Sequence, residues 1–235
     1  MATGERETAE VNADFFAGGQ HARDSARLDV FRLIWDAIEG EIDGAGRILD
    51  VGNGGIFEYD TSLVREIVAV DLFLDRLPAD AFPANVTPQT GDALDLDQPD
   101  GAFDTVLQAL LYHHLVGDQA DDIIANVRRA IAEAHRVLEP GGRLIVAESC
   151  VPSWFYAVER RLYPALVRLS ETPAMRGHPP VIQLTAERVV ALVRERFKIV
   201  SSYRVQPGRW TTQFGVRWPM VLTPAQTHVV VGRKP

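Results

Sequence analysis

Ile48-Leu49-Asp50-Val51-Gly52-Asn53-Gly54-Gly55 is a short apolar run that ends in an acid and then in clustered glycines. Such a run reads as a parallel strand covered on both faces, turning sharply at its carboxyl end where glycine reaches backbone angles closed to other residues. It predicts a tight turn opening into a helix, whose N-terminus would offer free N–H groups to an anionic group. The next residues, Phe57-Glu58-Tyr59-Asp60-Thr61-Ser62, make a poor helical run, so a variant loop is expected. Asp71 follows Asp50 by 21 residues and closes a second apolar run, Ile67-Val68-Ala69-Val70-Asp71. A carboxylate in that place is suited to accept hydrogen bonds from ribose hydroxyls.

Working outward, residues 86–90 read as a weaker strand carrying a proline, and 104–109 and 143–148 as two further apolar strands. Residues 199–205 and 227–232 read as the last two. Between the fourth and fifth runs, residues 121–138 place Ile123, Ile124, Val127, Ile131, Ala134 and Leu138 in one helical stripe, stopped by Pro140-Gly141-Gly142. Residues 12–40 read as helical, punctuated by Gly40 and Gly44, and 185–197 as a helix with Thr185 as its N-cap. Strands alternating with helices imply an α/β, doubly wound parallel sheet with helices on both faces. Ligands of such sheets bind at the carboxyl ends of the strands.

The chain has 235 residues, 46% hydrophobic and 24% charged, enough for one α/β domain over residues 12–235 after a disordered tail at 1–11. Its one cysteine, Cys150, excludes an intrachain disulfide and reads as a buried small hydrophobe. A formal charge of -8 is a poor footprint for nucleic acid. The N-terminus lacks a signal-peptide pattern, and no stretch reaches the roughly 18 apolar residues of a membrane span. These features predict a cytoplasmic protein with no membrane and no nucleic-acid partner.

The glycine run, Val70-Asp71, Gly91-Asp92-Ala93, Phe103-Asp104-Thr105-Val106-Leu107 and Val137-Leu138-Glu139-Pro140-Gly141-Gly142-Arg143-Leu144 follow one another in order. Across residues 45–150 the chain thereby resembles the class I S-adenosylmethionine-dependent methyltransferases. The resemblance implies a Rossmann-like seven-stranded sheet, mostly parallel with an antiparallel last strand. It implies S-adenosylmethionine as cofactor and S-adenosylhomocysteine as product. Gly52, Asn53 and Gly54 would line the methionine part, and Asp50 would help bind its amino group, directly or through water. Asp71, with Leu72 beside it, would hold the ribose, and Asp92 and Ala93 would flank the adenine. Gln108 would contribute near the methionine backbone. Asp92 has a second reading as a turn residue, and Gln108 as a satisfied polar residue. Two departures stand out. Gly55 adjoins Gly54 where the family's third glycine commonly follows one place later, and Phe57 takes the last position of a dinucleotide fingerprint, where it disfavours that class.

Methyl transfer from a sulfonium needs in-line orientation and no metal. A general base is needed only if the acceptor loses a proton as it attacks. Leu111-Tyr112-His113-His114-Leu115 follows the fourth strand, which makes His113 and His114 candidate bases, with His178 in Gly177-His178-Pro179-Pro180 a third. Their alternative readings are capping, packing and an exposed loop. Segments 12–40, 151–182 and 207–224, rich in aromatic residues, are expected to cover a small-molecule acceptor. A hydroxyl or carboxyl oxygen is the expected acceptor, in secondary metabolism. Nitrogen or carbon methylation, or a protein of this fold that does not methylate (a cyclase or partner subunit), are the alternatives.

Overall fold

Five apolar runs pair side by side as parallel strands: β1 (Arg47–Val51), β2 (Glu66–Asp71), β3 (Val86–Thr90), β4 (Phe103–Ala109) and β5 (Leu138–Cys150). The computed structural model describes residues 29–117, 119–170, 181–205, 209–213, 216–219, 222 and 224–235. β6 (Lys198–Arg204) forms the far edge of the main sheet, and β7 (Trp210–Gln213) pairs with β8 (Val216–Pro219) as a separate antiparallel ribbon. The last strand, β9 (Gln226–Arg233), inserts antiparallel between β5 and β6. The main sheet has seven strands in the order β3-β2-β1-β4-β5-β9-β6. Pro88 sits in β3, an edge strand, where a missing N–H is tolerated.

Alternate residues of each strand feed two cores. On one face Leu49, Val68, Val106, Leu144 and Val230 join Ile123, Val127 and Ile131 of α2 (Asp122–Val137) and Val189 and Val193 of α4 (Ala186–Arg194). Thr185 caps α4, its side chain accepting from the Arg188 N–H. On the other face Ile48, Ile67, Leu107, Ile145 and Val229 meet Ile34, Ile38 and Ile42 of α1 (Asp29–Ile42). Gly40 does not end α1, because fully buried Ile38 and Ile42 flank it and hold the helix one turn onto the sheet. Residues 1–11, expected to be a disordered tail, and residues 12–28 of the expected helical stretch lie outside the described residues.

At the glycine turn the expected variant loop forms and the expected helix does not: residues 52–65 contain only a 3-10 turn, Thr61–Leu63, and two more, Leu74–Arg76 and Ala79–Ala81, connect β2 to β3. Loop side chains replace helices there. Tyr59, Val64 and Leu74 are buried in the second core, and Phe57 meets Tyr59 and Phe82 edge-on. The segment after β5, where no element is expected from sequence, is an 18-residue helix, α3 (Ser153–Ser170), which carries Pro164 in its interior. A proline that removes one helix hydrogen bond argues against a helix in sequence. Here Tyr156 and Tyr163, both buried, hold α3 against the core. Among the described residues no helix is long and apolar enough to cross a membrane.

Candidate cofactor and acceptor site

The parallel strands bring the carboxyl ends of β1, β2, β4 and β5 to one edge of the sheet, and the chemistry-bearing residues collect there. Gly52, Gly54 and Gly55 all have positive φ, of 80°, 61° and 77°. At Gly52 a Cβ would also stand 2.6 Å from Leu111 Cδ1, so the chain after β4 packs directly on the turn. The turn is tied by side chains rather than by a helix. The Gly54 N–H donates to Asp71 Oδ2 at 2.9 Å, the Gly55 N–H to Asn53 Oδ1 at 2.8 Å, and the Ile56 N–H to the Asn53 carbonyl. The free N–H groups anticipated for an anionic ligand are therefore engaged within the loop.

Asp50 lies at the centre. It is fully buried, and its Oδ2 accepts from Tyr59 Oη at 2.7 Å and from Asn53 Nδ2 at 2.9 Å. Its other oxygen, Oδ1, is buried without a hydrogen-bond partner. Burial, reinforced by the charge of Asp71, raises the Asp50 carboxyl to about 6 against the two hydrogen bonds. A buried carboxylate with an unanswered oxygen is an acceptor for a cationic or hydrogen-donating group. Burial also raises the Asp71 carboxyl, opposed by the N–H groups of Gly54, Leu72 and Phe73. Leu72 beside it is 41% exposed, an apolar surface at the strand end. Asp92 Oδ1 accepts from the Leu94 N–H at 2.8 Å, so it closes a turn, and Ala93 is buried behind it.

The acceptor end is built after β4. Leu110 takes a left-handed φ of 53° and its N–H bonds the Ala147 carbonyl, which turns the chain into the 3-10 turn Tyr112–His114. There His113 Nδ1 meets Glu148 Oε1 at 2.6 Å. Glu148 is fully buried at the end of β5. It also accepts the Ser149 N–H on Oε1 and the Tyr112 N–H on Oε2. With Nδ1 engaged by a carboxylate already holding two N–H groups, Nδ1 is the donor and Nε2 is left as the basic nitrogen. The His114 ring lies tilted against that of His113, with 4.1 Å between centroids. Glu159 of α3 accepts from the Gln183 N–H at 3.0 Å, and burial raises its carboxyl to about 7 despite the favourable charge of His113. Gln183 Nε2 in turn donates to Ser149 Oγ.

Residues 49–146 match a family model described as a methyltransferase domain. That stretch is a methyltransferase domain of the class I S-adenosylmethionine-dependent type. A demethylmenaquinone methyltransferase of Symbiobacterium thermophilum is 32% identical over 117 residues, 45% of this chain and 43% of that protein. A ubiquinone/menaquinone biosynthesis C-methyltransferase of Methylobacterium nodulans is 29% identical over 148 residues, 59% of this chain and 54% of that protein. The chain spans a little under half the length of the first curated relatives it matches. Among solved structures, the N-methyltransferase NodS from Bradyrhizobium japonicum WM9, in complex with S-adenosyl-l-homocysteine, shares the fold. It has a TM-score of 0.55 at 15% identity, over 91% of this chain and 96% of that one. The cofactor of this methyltransferase domain is S-adenosylmethionine.

The structure brings Asp50, Gly52, Gly54, Asp71 and Leu72 together around one turn, and places His113 and His114 at the neighbouring strand end. It does not leave every predicted residue free. Both ends of the Asn53 amide staple the turn. Gln108 is buried, with Nε2 bonding the Ala130 carbonyl and Oε1 accepting from Tyr112 Oη at 2.8 Å, so its amide is satisfied inside the core. His178 lies outside the described residues. Two residues went unread in the sequence. Glu148 carries the same signal as Asp71, an acid closing an apolar strand, whereas Tyr59 had no signal beyond its nearness to the glycines.

Proposed function

We propose that this chain methylates a small acceptor bearing an acidic hydroxyl, with His113 as general base. The carrying observation is the 2.6 Å pair of His113 Nδ1 with buried Glu148, which fixes the ring and leaves Nε2 as the proton acceptor. S-adenosylmethionine supplies a methyl group on a leaving group that is already activated. In this reading the unanswered Oδ1 of Asp50 receives its amino group, and Asp71 its ribose, with Leu72 and Ala93 beside the adenine. The turn's left-handed glycines let the ligand approach the backbone.

His113 Nε2 would take the acceptor proton, and Glu148 would stabilise the resulting imidazolium. Such base catalysis contributes typically about 10²–10⁴-fold. A phenol or hydroquinone suits the arrangement, because removing its proton makes both the oxygen and the adjacent ring carbon nucleophilic. The relatives named for menaquinone and ubiquinone biosynthesis support a quinone-like ring and carbon as the attacking atom, in place of the oxygen expected from sequence.

The test is calorimetric titration with S-adenosylmethionine, then transfer of a labelled methyl group to hydroquinones, phenols and carboxylic acids, with products assigned by NMR. Binding that Asp71→Ala weakens at least tenfold, with transfer that His113→Gln slows at least a hundredfold, supports the proposal. Cofactor binding without transfer to any of these acceptors would leave a cofactor-binding protein that does not methylate them.

A further inference from the structure

The outer surface of α3 divides into sectors that the core does not explain. Tyr156 and Tyr163 face inward and are buried. Trp154, Val158, Leu162 and Leu166 recur every four residues and stand 65%, 48%, 50% and 36% exposed. Each is about 40° further round the helix than the last, so they form one slanting apolar ridge roughly 120° wide. Arg161 borders this ridge. Arg160 and Arg161 then join Arg188, at the start of α4, around a pocket of about 520 Å³ floored by Tyr156 and flanked by Ser153 and Thr185. Arg188 lies over the Tyr156 ring at 4.7 Å, and Arg160 pairs with exposed Asp121 at 2.7 Å. An exposed pair of that kind contributes little and exchanges readily.

We propose that α3 docks the protein on an anionic bilayer surface: Trp154, Val158, Leu162 and Leu166 enter the headgroup region, and Arg160, Arg161 and Arg188 hold lipid phosphates. Charge complementarity selects this occupant. A chain of net charge -8 concentrates three guanidinium groups beside an exposed apolar ridge. Guanidinium groups fit phosphate oxygens in a bidentate way, and a helix with an apolar and a cationic side lies in the plane of the interface. The expectation of no membrane partner rested on the absence of a spanning segment, which does not bear on a helix lying on the surface. The same helix carries Glu159 beside the acceptor end, so docking would present that end to acceptors dissolved in the bilayer. The docking itself does not depend on methyl transfer.

The experiment is sedimentation with sucrose-loaded vesicles of phosphatidylglycerol and phosphatidylcholine, against phosphatidylcholine alone. The proteins are wild type, Val158→Glu with Leu162→Glu, and Arg161→Glu with Arg188→Glu. Wild type is expected to sediment with anionic vesicles, at least tenfold less with neutral ones or at high salt. Both double variants should bind at least tenfold more weakly, with unchanged melting temperature and S-adenosylmethionine affinity, which separates this failure from failure of the cofactor site. No sedimentation at millimolar anionic lipid, or equal binding by the variants, would overturn the proposal. So would a dimer in ultracentrifugation that the ridge variant abolishes, without vesicle binding, since the face would then belong to a second copy. Inorganic phosphate raising the melting temperature without vesicle binding would likewise overturn it.

Discussion

Asp50→Asn tests the central feature of the site, a buried carboxylate with one unanswered oxygen. Its carboxyl is raised from 3.8 to about 6. Holding the carboxyl that far above its ordinary value corresponds to about 3 kcal/mol. The sign follows from proton counts. Between pH 3.8 and about 6 the folded chain holds a proton on Asp50 that the unfolded chain has released. Stability from this group is therefore full below the lower value, falls as pH rises through the window, and stays reduced above it. Asparagine cannot ionise, and its amide oxygen can still accept from Tyr59. Without cofactor near neutral pH the variant should gain about 1–3 kcal/mol, or roughly 3–10 °C in melting temperature for a chain of this size. Its affinity for S-adenosylmethionine should fall about 10–100-fold, the loss of one charged hydrogen bond. The assay is thermal melting of both proteins from about pH 4 to 8, with calorimetry at the upper end. A wild-type-minus-variant difference that stays flat across pH 4–6, or a variant that melts lower near neutrality, would refute the reasoning.

Glu148→Gln should retain cofactor binding but lower kcat about 10²–10⁴-fold, together with a changed acidic limb of the pH–rate profile, because His113 loses the carboxylate that fixes its tautomer; unchanged kcat on an active acceptor would remove His113 from the base role. Gly52→Ala places a side chain at φ 80° and 2.6 Å from Leu111 Cδ1, for a loss of about 2–4 kcal/mol. Adding Leu111→Ala should recover only the steric part, read from a double-mutant cycle by urea unfolding. Arg136 donates to the Leu96 and Gln98 carbonyls at 2.6 Å and pairs with Glu133 and Asp100, joining the segment after Asp92 to α2. Arg136→Met should reduce stability by about 2–4 kcal/mol, measured by the same unfolding.

What was legible in the sequence was whatever local chemistry dictates. Positive φ at Gly52, Gly54 and Gly55 is a local demand that glycine answers, and an apolar run closing on Asp71 marks a strand end. The weak helical character of residues 57–62 also foretold the loop that replaces a helix. What could not be read were choices of partner through space. The Asn53 and Gln108 amides had several possible partners, and each settled on groups inside the protein. Glu148 matters because of His113, 35 residues away, a pairing that exists only once β4 and β5 lie side by side. α3 was hidden by Pro164, whose cost tertiary packing of Tyr156 and Tyr163 overrides.

Replacing a helix by a side-chain-tied loop changes the electrostatics of the cofactor end. A glycine turn opening into a helix presents aligned N–H groups and a partial positive charge, which favours an anion. Here the N–H groups of Gly54, Gly55 and Ile56 are taken by Asp71, the Asn53 side chain and the Asn53 carbonyl. The turn also holds two carboxylates, Asp50 and Asp71, and burial, reinforced by the charge of Asp71, raises the carboxyl of Asp50. Under the proposed cofactor placement such a turn would favour the cationic end of its ligand, which in S-adenosylmethionine carries the ammonium and sulfonium. On that proposal the cost of keeping Asp50 ionised near neutral pH belongs to the free protein, and the bound cofactor would relieve it. Tyr59 and Asn53 hold the carboxylate in place until it does.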